Sequence, residues 1–262
     1  MLRPRSYRTV LAALAAAAIA SGAAAEDWTT HVVAAPKHYH YEAWAGADAG
    51  GHSLSVYGGM TASLSDDIRI DGWRLRSAAS YGTYGYTRSY VAGNRKAWQE
   101  FRGTMHATDL MVGHHHAFGP WIVKVFAGGS QETHVVVAHG GGARGLTYDD
   151  ENDVQGARMG FKGAIETWLN VDNFAFVQTD FSWSTPFKAY SSRIRTGYRL
   201  NPAFSTGLEL GAHGNANHDA GRAGGFLRFE WTGGEISGAG GLGGTSHDIS
   251  GAYGSLAIMM RF

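Results

Sequence analysis

Thirteen histidines are the residues of this chain most able to bind a metal or transfer a proton, and His114, His115 and His116 are consecutive. Because successive side chains of a β-strand point to opposite faces, only His114 and His116 could share a metal ion. The cluster precedes the turn-forming sequence Phe118-Gly119-Pro120, which favours a polar band near a strand end. We therefore predict no metal site and no cofactor.

A second candidate is the sequence Thr245-Ser246-His247-Asp248, which holds the residue types of a hydrolase relay. Adjacent residues of an extended chain point opposite ways, so this segment cannot form the relay unaided. His213, His218 and Asp219 are interpreted as solvated loop residues. The segment 140–153 is rich in Gly and Asp and is interpreted as an outer loop that could bind a divalent cation bridging lipopolysaccharide phosphates. We predict no catalytic residue.

A third set consists of charged residues that recur on one face of successive period-2 segments. Its members are Arg74, Arg76, Arg158, Lys162, Glu166, Asp180, Arg193, Arg195, Glu209, Arg222, Arg228 and Glu230. We predict that they line the interior of a β-barrel. The favoured interpretation is a charge ladder that fills the interior; the alternative is a narrow polar conduit or glycan-contacting lumen that uses aromatics such as Tyr84 and Tyr86.

The elements that would position these charges are amphipathic strands. Counting back from the end, Phe262, Met260, Ile258 and Leu256 share one face, and Arg261 is on the other. A charge facing lipid at mid-bilayer costs roughly 2–4 kcal/mol, whereas one facing a polar lumen costs little. A soluble β-sandwich would show similar alternation, but aromatic residues near the strand ends favour a membrane barrel.

Export is indicated by the N-terminus, where Arg3, Arg5 and Arg8 precede an apolar run and the small residues 23–25 offer a cleavage site. We predict a signal peptide over 1–25 and a barrel over 26–262. The run is too short for a spanning helix. Without the leader's arginines the chain has 19 basic and 22 acidic residues, so nucleic acid is not a predicted partner. No cysteine provides a disulfide or thiolate ligand.

The predicted fold is therefore an all-β, antiparallel, up-and-down transmembrane barrel of about twelve strands, although ten or fourteen remain open. The strands are predicted near 40–47, 52–62, 69–85, 101–117, 121–137, 154–169, 174–184, 188–200, 203–213, 221–232, 235–243 and 250–262.

Alternating link lengths predict the orientation of the barrel. Short turns near 118–120, 170–173, 200–202 and 232–234 are assigned to the periplasmic side. Longer polar links are assigned to the outside, because outer loops of such barrels are long. These longer links are predicted near 87–99, 138–153, 214–221 and 244–249.

Tryptophans near the ends of the predicted strands indicate interfacial girdles. The residues assigned to the girdles are Trp44, Trp73, Trp98, Trp121, Trp168, Trp183 and Trp231.

Four segments resemble the BcsS family of alphaproteobacterial cellulose biosynthesis proteins. They are GWRLRSAASYGTYGY (72–86), DLMVGHHHAFGPWIVKVFAG (109–128), DVQGARMGFKGAIETW (153–168) and RIRTGYRL followed by STGLELGAHGNANHDAGRAGGFLRFE (193–230). The resemblance spans nearly all the mature chain. It implies an outer-membrane component associated with cellulose synthesis or export, and it carries over no catalytic residue.

The combined prediction is a non-enzymatic outer-membrane barrel accessory to bacterial cellulose biosynthesis or export. Expected partners are outer-membrane lipids and lipopolysaccharide, and cellulose or other cellulose-synthesis components. A narrow porin-like channel and an outer-leaflet lipid-modifying barrel enzyme are the alternatives.

Overall fold

The described part of the chain forms one closed barrel. The computed structural model describes residues 38–51, 53–92, 95–139, 154–216, 218–245 and 248–262. Twelve antiparallel strands pair in sequence order, and the last closes on the first, which confirms the predicted fold class. Among the described residues, no helix is long and apolar enough to cross a membrane. The predicted signal peptide lies outside these residues.

The strands, numbered β1 to β12 in chain order, are Tyr41–Gly50, Ser53–Ser63, Gly72–Ala92, Arg95–Phe118, Trp121–His139, Gly156–Asn170, Ala175–Ser184, Tyr190–Arg199, Phe204–Asn215, His218–Trp231, Gly234–Thr245 and Asp248–Arg261.

Pairing of β1 with β12 removes the two free edges of the sheet. Glu42 lies opposite Arg261, and the amide of Tyr41 donates to the carbonyl oxygen of Phe262 at 2.9 Å. Every strand thus has a partner on both sides. In hydrocarbon an unpaired backbone amide costs several kcal/mol, so closure is what lets a sheet span a bilayer.

The two faces of the sheet differ in the way that the alternation predicts. In β10, Leu227 is exposed, whereas Phe226 and Arg228 on either side are buried. The same outward exposure recurs around the barrel for Leu75, Val112, Val125, Ile165, Ile194, Leu208 and Leu210. An apolar outer surface with polar residues turned inward is the pattern of a transmembrane barrel.

The two ends of the barrel need names. The terminal rim holds the start of β1, Phe262 and the link 64–71 between β2 and β3; the predicted short turns lie at this rim. The opposite end is the distal rim. There the link 185–189 between β7 and β8 contains a single 3-10 turn, Pro186–Lys188, and we call this link the strap.

Three of the four predicted long links are wrong, because the strands continue into them. β3 ends at Ala92 and β4 begins at Arg95, while β9 ends at Asn215 and β10 begins at His218. The predicted link 244–249 is likewise replaced by strand up to Thr245. The hydrogen bonds between paired strands join backbone groups and do not require apolar side chains. A polar segment therefore shows where a strand passes beyond the apolar outer surface, and the strand itself can continue. The predicted loop 140–153 lies outside the described residues.

Two predicted girdle tryptophans point into the barrel instead. Trp44 shares the face of Glu42, and Trp168 shares the face of Glu166 and stacks on the buried ring of Phe176 at 4.4 Å. Strand parity alone places them inside, so the girdle assignment was wrong for both. Outward-facing and exposed tryptophans are Trp73, Trp121, Trp183 and Trp231. The side chain of Trp98 lies outside the described part.

Candidate functional site in the barrel interior

Contacts between strands that are not neighbours show which side chains point inward. On the convex outside of a barrel side chains diverge, so such contacts must run through the interior. Arg76 of β3 pairs with Glu166 of β6, and Arg228 of β10 donates to Gln178 of β7. All twelve residues of the predicted interior set lie on the inward-facing side of their strands.

Glu209 is the centre of the largest ion-pair network. Its carboxylate is fully buried and accepts from Arg195 Nε at 2.7 Å and from Arg222 Nε at 3.0 Å. The Tyr253 hydroxyl approaches it from β12 at 3.4 Å. Arg222 also bonds to Asp48 of β1 at 3.0 Å, so this network ties five strands together across the lumen.

A second network lies nearer the terminal rim. The Glu166 carboxylate forms ion pairs with the guanidinium of Arg76 and, at 3.8 Å, with the amine of Lys124. Lys124 also reaches Glu42 at 3.8 Å, which in turn pairs with Arg261 at 3.4 Å. These alternating charges cross the interior from β6 to β12.

Arg228 stabilises an aromatic cluster between these networks. Its Nε and Nη1 atoms are buried without a hydrogen-bond partner among the described residues. Its guanidinium lies 4.9 Å from the ring centre of Trp168, 5.3 Å from that of Phe176 and 5.8 Å from that of Phe226. A desolvated cation over several aromatic faces gains about 2 kcal/mol or more, which offsets the missing hydrogen bonds.

Smaller ion pairs continue the ladder around the wall. Arg193 pairs with Asp180 at 2.7 Å, and Lys162 pairs with Asp109, which also accepts from Ser130. The remaining predicted interior residues, Arg158 and Glu230, contact the Phe187 ring and the Ser205 hydroxyl respectively.

At the terminal rim, the link 64–71 closes over the interior. Arg74, which is 1% exposed, donates to the hydroxyl of Ser63 and to the carbonyl oxygens of Asp67, Ile68 and Ile70. Burial of Ile68 completes the closure. Since a guanidinium has five N–H groups in a fixed fork, one side chain holds most of this link in place.

Asp67 adds a second hold on the same link. The Arg69 side chain donates to its carboxylate, as do the backbone amides of Arg69 and Tyr39. These bonds, the Arg69 side chain first, hold the pKa of Asp67 well below its usual range despite burial, which acts to raise it. Tyr39 is itself buried, and its hydroxyl donates to the carbonyl oxygen of Thr232.

At the distal rim, the strap carries the ring of Phe187 into the barrel. This side chain is 1% exposed and meets the His134 ring edge-on with centroids 4.7 Å apart. The guanidinium of Arg158, on β6, lies 4.6 Å from the centre of the Phe187 ring. The amide of Ala216 donates to the carbonyl oxygen of Phe187 at 2.8 Å, which fixes the strap to the end of β9.

Beneath Phe187 is a buried polar group, which we call the distal triad: Tyr84, Glu132 and His134. The Tyr84 hydroxyl lies 2.9 Å from His134 Nδ1, and His134 Nε2 lies 2.6 Å from Glu132 Oε1. One ring nitrogen of His134 thus faces the tyrosine hydroxyl and the other faces the carboxylate, so all three groups have a hydrogen-bond partner. The predicted pair Tyr84 and Tyr86 lies here, with stacked rings 6.2 Å apart.

The histidines singled out from the sequence do not converge. His114 and His116 lie on the outward face, where His114 packs against Trp73 and His116 pairs with Asp71 at 2.6 Å, while His115 is buried. In the described part of the chain, no three His, Cys, Asp or Glu side chains are grouped to hold a metal. The relay candidate at 245–248 falls largely outside the described side chains.

The predicted interior set lacks several residues that point inward, although alternation alone puts Lys124, Arg199 and Arg261 on the charged face of their strands. The missing residues are Glu42, Asp48, Asp109, Lys124, Glu132, His134, Phe187, Arg199 and Arg261. Glu132 and His134 share the inward parity of Ser130, so the period-2 rule would have found them. No sequence signal identifies Phe187, because it enters the barrel from a link rather than a strand.

Solved structures similar to this chain include outer-membrane barrels. The transport unit of the autotransporter AIDA-I from Escherichia coli aligns with a TM-score of 0.50 at 10% identity, over 89% of this chain and 94% of its own. The KdgM porin, solved with disordered oligogalacturonate, aligns with a TM-score of 0.48 at 11% identity, over 84% and 99%. Such identities show the fold alone.

No curated protein matches the sequence significantly. A family match nevertheless covers almost the whole barrel, from β1 to the C-terminal phenylalanine. The family model described as cellulose biosynthesis protein BcsS matches residues 43–262. This chain therefore belongs to the BcsS family of cellulose biosynthesis proteins.

Proposed function

We propose that this chain is a non-enzymatic accessory of cellulose synthesis or export that resides in the bacterial outer membrane after signal-peptide export. Family membership supports the link to cellulose. The apolar outer belt supports a bilayer location, and lipopolysaccharide is the expected contact of its outward face. The barrel acts as a rigid anchor for the synthesis apparatus rather than as a wide pore.

The observation that carries the anchor role is the set of ion pairs that cross the lumen. Arg76–Glu166, Lys124–Glu42 and Arg222–Asp48 each join strands that are not neighbours. A wide water channel needs a lumen free of such contacts, which is the usual condition in barrels of sixteen strands or more. Closures at both rims add to the obstruction.

Deletion of the gene tests the proposal in the cell. We expect loss or strong reduction of surface cellulose, scored with a cellulose-binding dye, and recovery with the wild-type gene. Unchanged cellulose in the deletion strain would remove the proposed link. Fractionation of the same strains should place the mature chain in the outer membrane.

Purified protein separates the anchor from its rivals. In planar bilayers we expect no steady conductance of porin size, because the lumen is crossed by side chains. A large, constant conductance would favour a channel. Lipid A or phospholipid mass changes that depend on one serine or histidine would favour an enzyme.

A further inference from the structure

The strap is the most strained segment of the described backbone. Phe187 and Lys188 adopt φ values of 50° and 51°, in the left-handed region. This conformation is unfavourable for a residue with a side chain, because the Cβ atom comes too close to the following carbonyl oxygen. The chain contains 38 glycines, which adopt it freely, yet none stands at these two positions. The side chain at position 187 is therefore retained at a cost in backbone strain.

Burial of the Phe187 ring opposes that strain. The free energy gained by burying a phenylalanine side chain is similar in size to the cost of holding two residues in the left-handed region. The closed position of the strap is thus held by a small net free energy. Hydrogen bonds between Thr185 and Phe161 hold the start of the strap. The bond from the Ala216 amide to the Phe187 carbonyl holds the strap closed and must break when Phe187 moves outward.

The wall beneath the ring is more polar than a structural plug requires. Glu132 and His134 are 4% and 2% exposed, and burial of such groups is costly unless each is hydrogen-bonded. An apolar wall would hold a phenyl ring at lower cost. The ring of His134 and the guanidinium of Arg158 contact Phe187 directly, and Tyr84 and Glu132 bond His134 behind it, so the wall has the composition of a ligand site, with aromatic faces and a few placed polar groups.

An aromatic stack adjoins this wall through the ring of Tyr84, whose centre lies 5.8 Å from that of His134. Tyr84 and Tyr86 are stacked at 6.2 Å, and Tyr86 and Phe101 at 5.1 Å, with interplanar angles of 17° and 18°. A flat π face carries negative potential and attracts C–H groups, which are what the face of a pyranose ring presents. Glu132 and Arg158 at the edge can bond the hydroxyl groups of such a ring.

We propose that Phe187 occupies a saccharide subsite and that a glucose unit of a neutral glucan displaces it when the strap swings outward. The identity of the glycan rests on the proposed function. The site carries both Arg158 and Glu132, so a neutral sugar suits it better than a uronate, whose carboxylate would meet Glu132.

Cello-oligosaccharide binding to the purified full-length barrel tests the subsite. Phe187→Ala removes the competing ring, and we expect cellohexaose to bind at least about tenfold more tightly than to wild type in calorimetry, because a larger fraction of the protein is binding-competent. Phe181→Ala is the matched control, since this ring lies on β7 and is exposed on the outer face. It should leave the affinity unchanged.

A second substitution tests whether Tyr84 belongs to the subsite. In the Phe187→Ala background, Tyr84→Phe keeps the ring but removes the hydroxyl that bonds His134, and we expect the gained affinity to fall about tenfold. Oligogalacturonate, an anionic probe, should bind more weakly than cellohexaose. Equal affinity for the two probes, or binding indifferent to Tyr84, would overturn the subsite.

If Phe187→Ala does not fold, Ala216→Pro provides a second test of whether an open strap exposes the subsite. Proline removes the amide that holds the Phe187 carbonyl and leaves every wall residue in place, so we expect cellohexaose affinity above that of wild type. No gain in either folded variant would overturn the proposal. Absence of binding together with loss of cellulose in the deletion strain removes the subsite alone, whereas binding with unchanged cellulose removes the proposed function alone.

Discussion

At the terminal rim, the link 64–71 is held by hydrogen bonds from Arg74 and around Asp67, and its described backbone is free of left-handed non-glycine residues. At the distal rim, the strap is held by the buried ring of Phe187 and by hydrogen bonds to Ala216 and Phe161, and its backbone is strained. Both closures come from links between strands. The terminal closure is held by hydrogen bonds to its polar groups. In the distal closure, the burial of the Phe187 ring opposes the strain of the backbone.

The contrast indicates two different roles. A closure built on a buried guanidinium cannot open without stranding several carbonyl oxygens and a cation, each at a cost of about 1–3 kcal/mol or more. A closure built on a ring can open when another flat ring takes the same place. We therefore interpret the terminal closure as fixed and the distal closure as exchangeable.

The largest expected effect is that of Arg74→Ala. It leaves the carbonyl oxygens of Ile68 and Ile70 without their donor, so we expect the free energy of unfolding to fall by about 3 kcal/mol or more, measured by urea titration in detergent. Arg102→Ala is the control, because Arg102 is partly exposed and its ion pair with exposed Glu100 spans 3.5 Å. It should cost less than about 1 kcal/mol. Equal losses would mean that the terminal closure is not fixed by Arg74.

A smaller effect concerns pH and Asp67. Its pKa is lowered in the folded state, chiefly by the Arg69 side chain, so its contribution to stability is complete above the unfolded pKa of about 3.9 and is lost as pH falls through the folded pKa. We expect wild type to be more stable than Asp67→Asn at pH 7 and the difference to shrink below about pH 4. A difference that stays constant across unfolding curves from pH 7 to pH 3 would contradict this hold on the link.

The smallest effect is a gain at the distal closure from Lys188→Gly. Glycine adopts the φ of 51° without steric cost, so we expect the free energy of unfolding to rise by up to about 1 kcal/mol. Ala189→Gly is the matched control, because Ala189 is extended with φ −69° and ψ 139°; it should lose about 0.5–1 kcal/mol. A loss in both variants would show that the strap is not strained.

Strand parity gave most of the interior correctly. It placed Arg195, Glu209 and Arg228 inward from their alternation with apolar neighbours, and all three are buried. The same parity applied to Trp44 and Trp168 would have moved them inside. The girdle prediction for these two tryptophans rested on their position near a strand end, whereas the face of the strand decides whether a side chain points inward.

Link lengths were less predictable than faces. Polar residues between Thr87 and Gln99 indicated a loop, but β3 and β4 pair almost to their shared tip. The choice between loop and ladder depends on the partner strand, which local sequence does not encode. The inward path of the strap is hidden for the same reason, since it depends on His134 and Arg158 from other strands.

By itself, the sequence determined the class of the fold, the inward and outward faces of its strands and the family, because each depends on local alternation or on motifs read along the chain. Only the tertiary structure decided which charges pair across the lumen and how each rim closes. These depend on distances between strands that closure of the barrel brings together, such as Arg76 with Glu166 and Phe187 with His134.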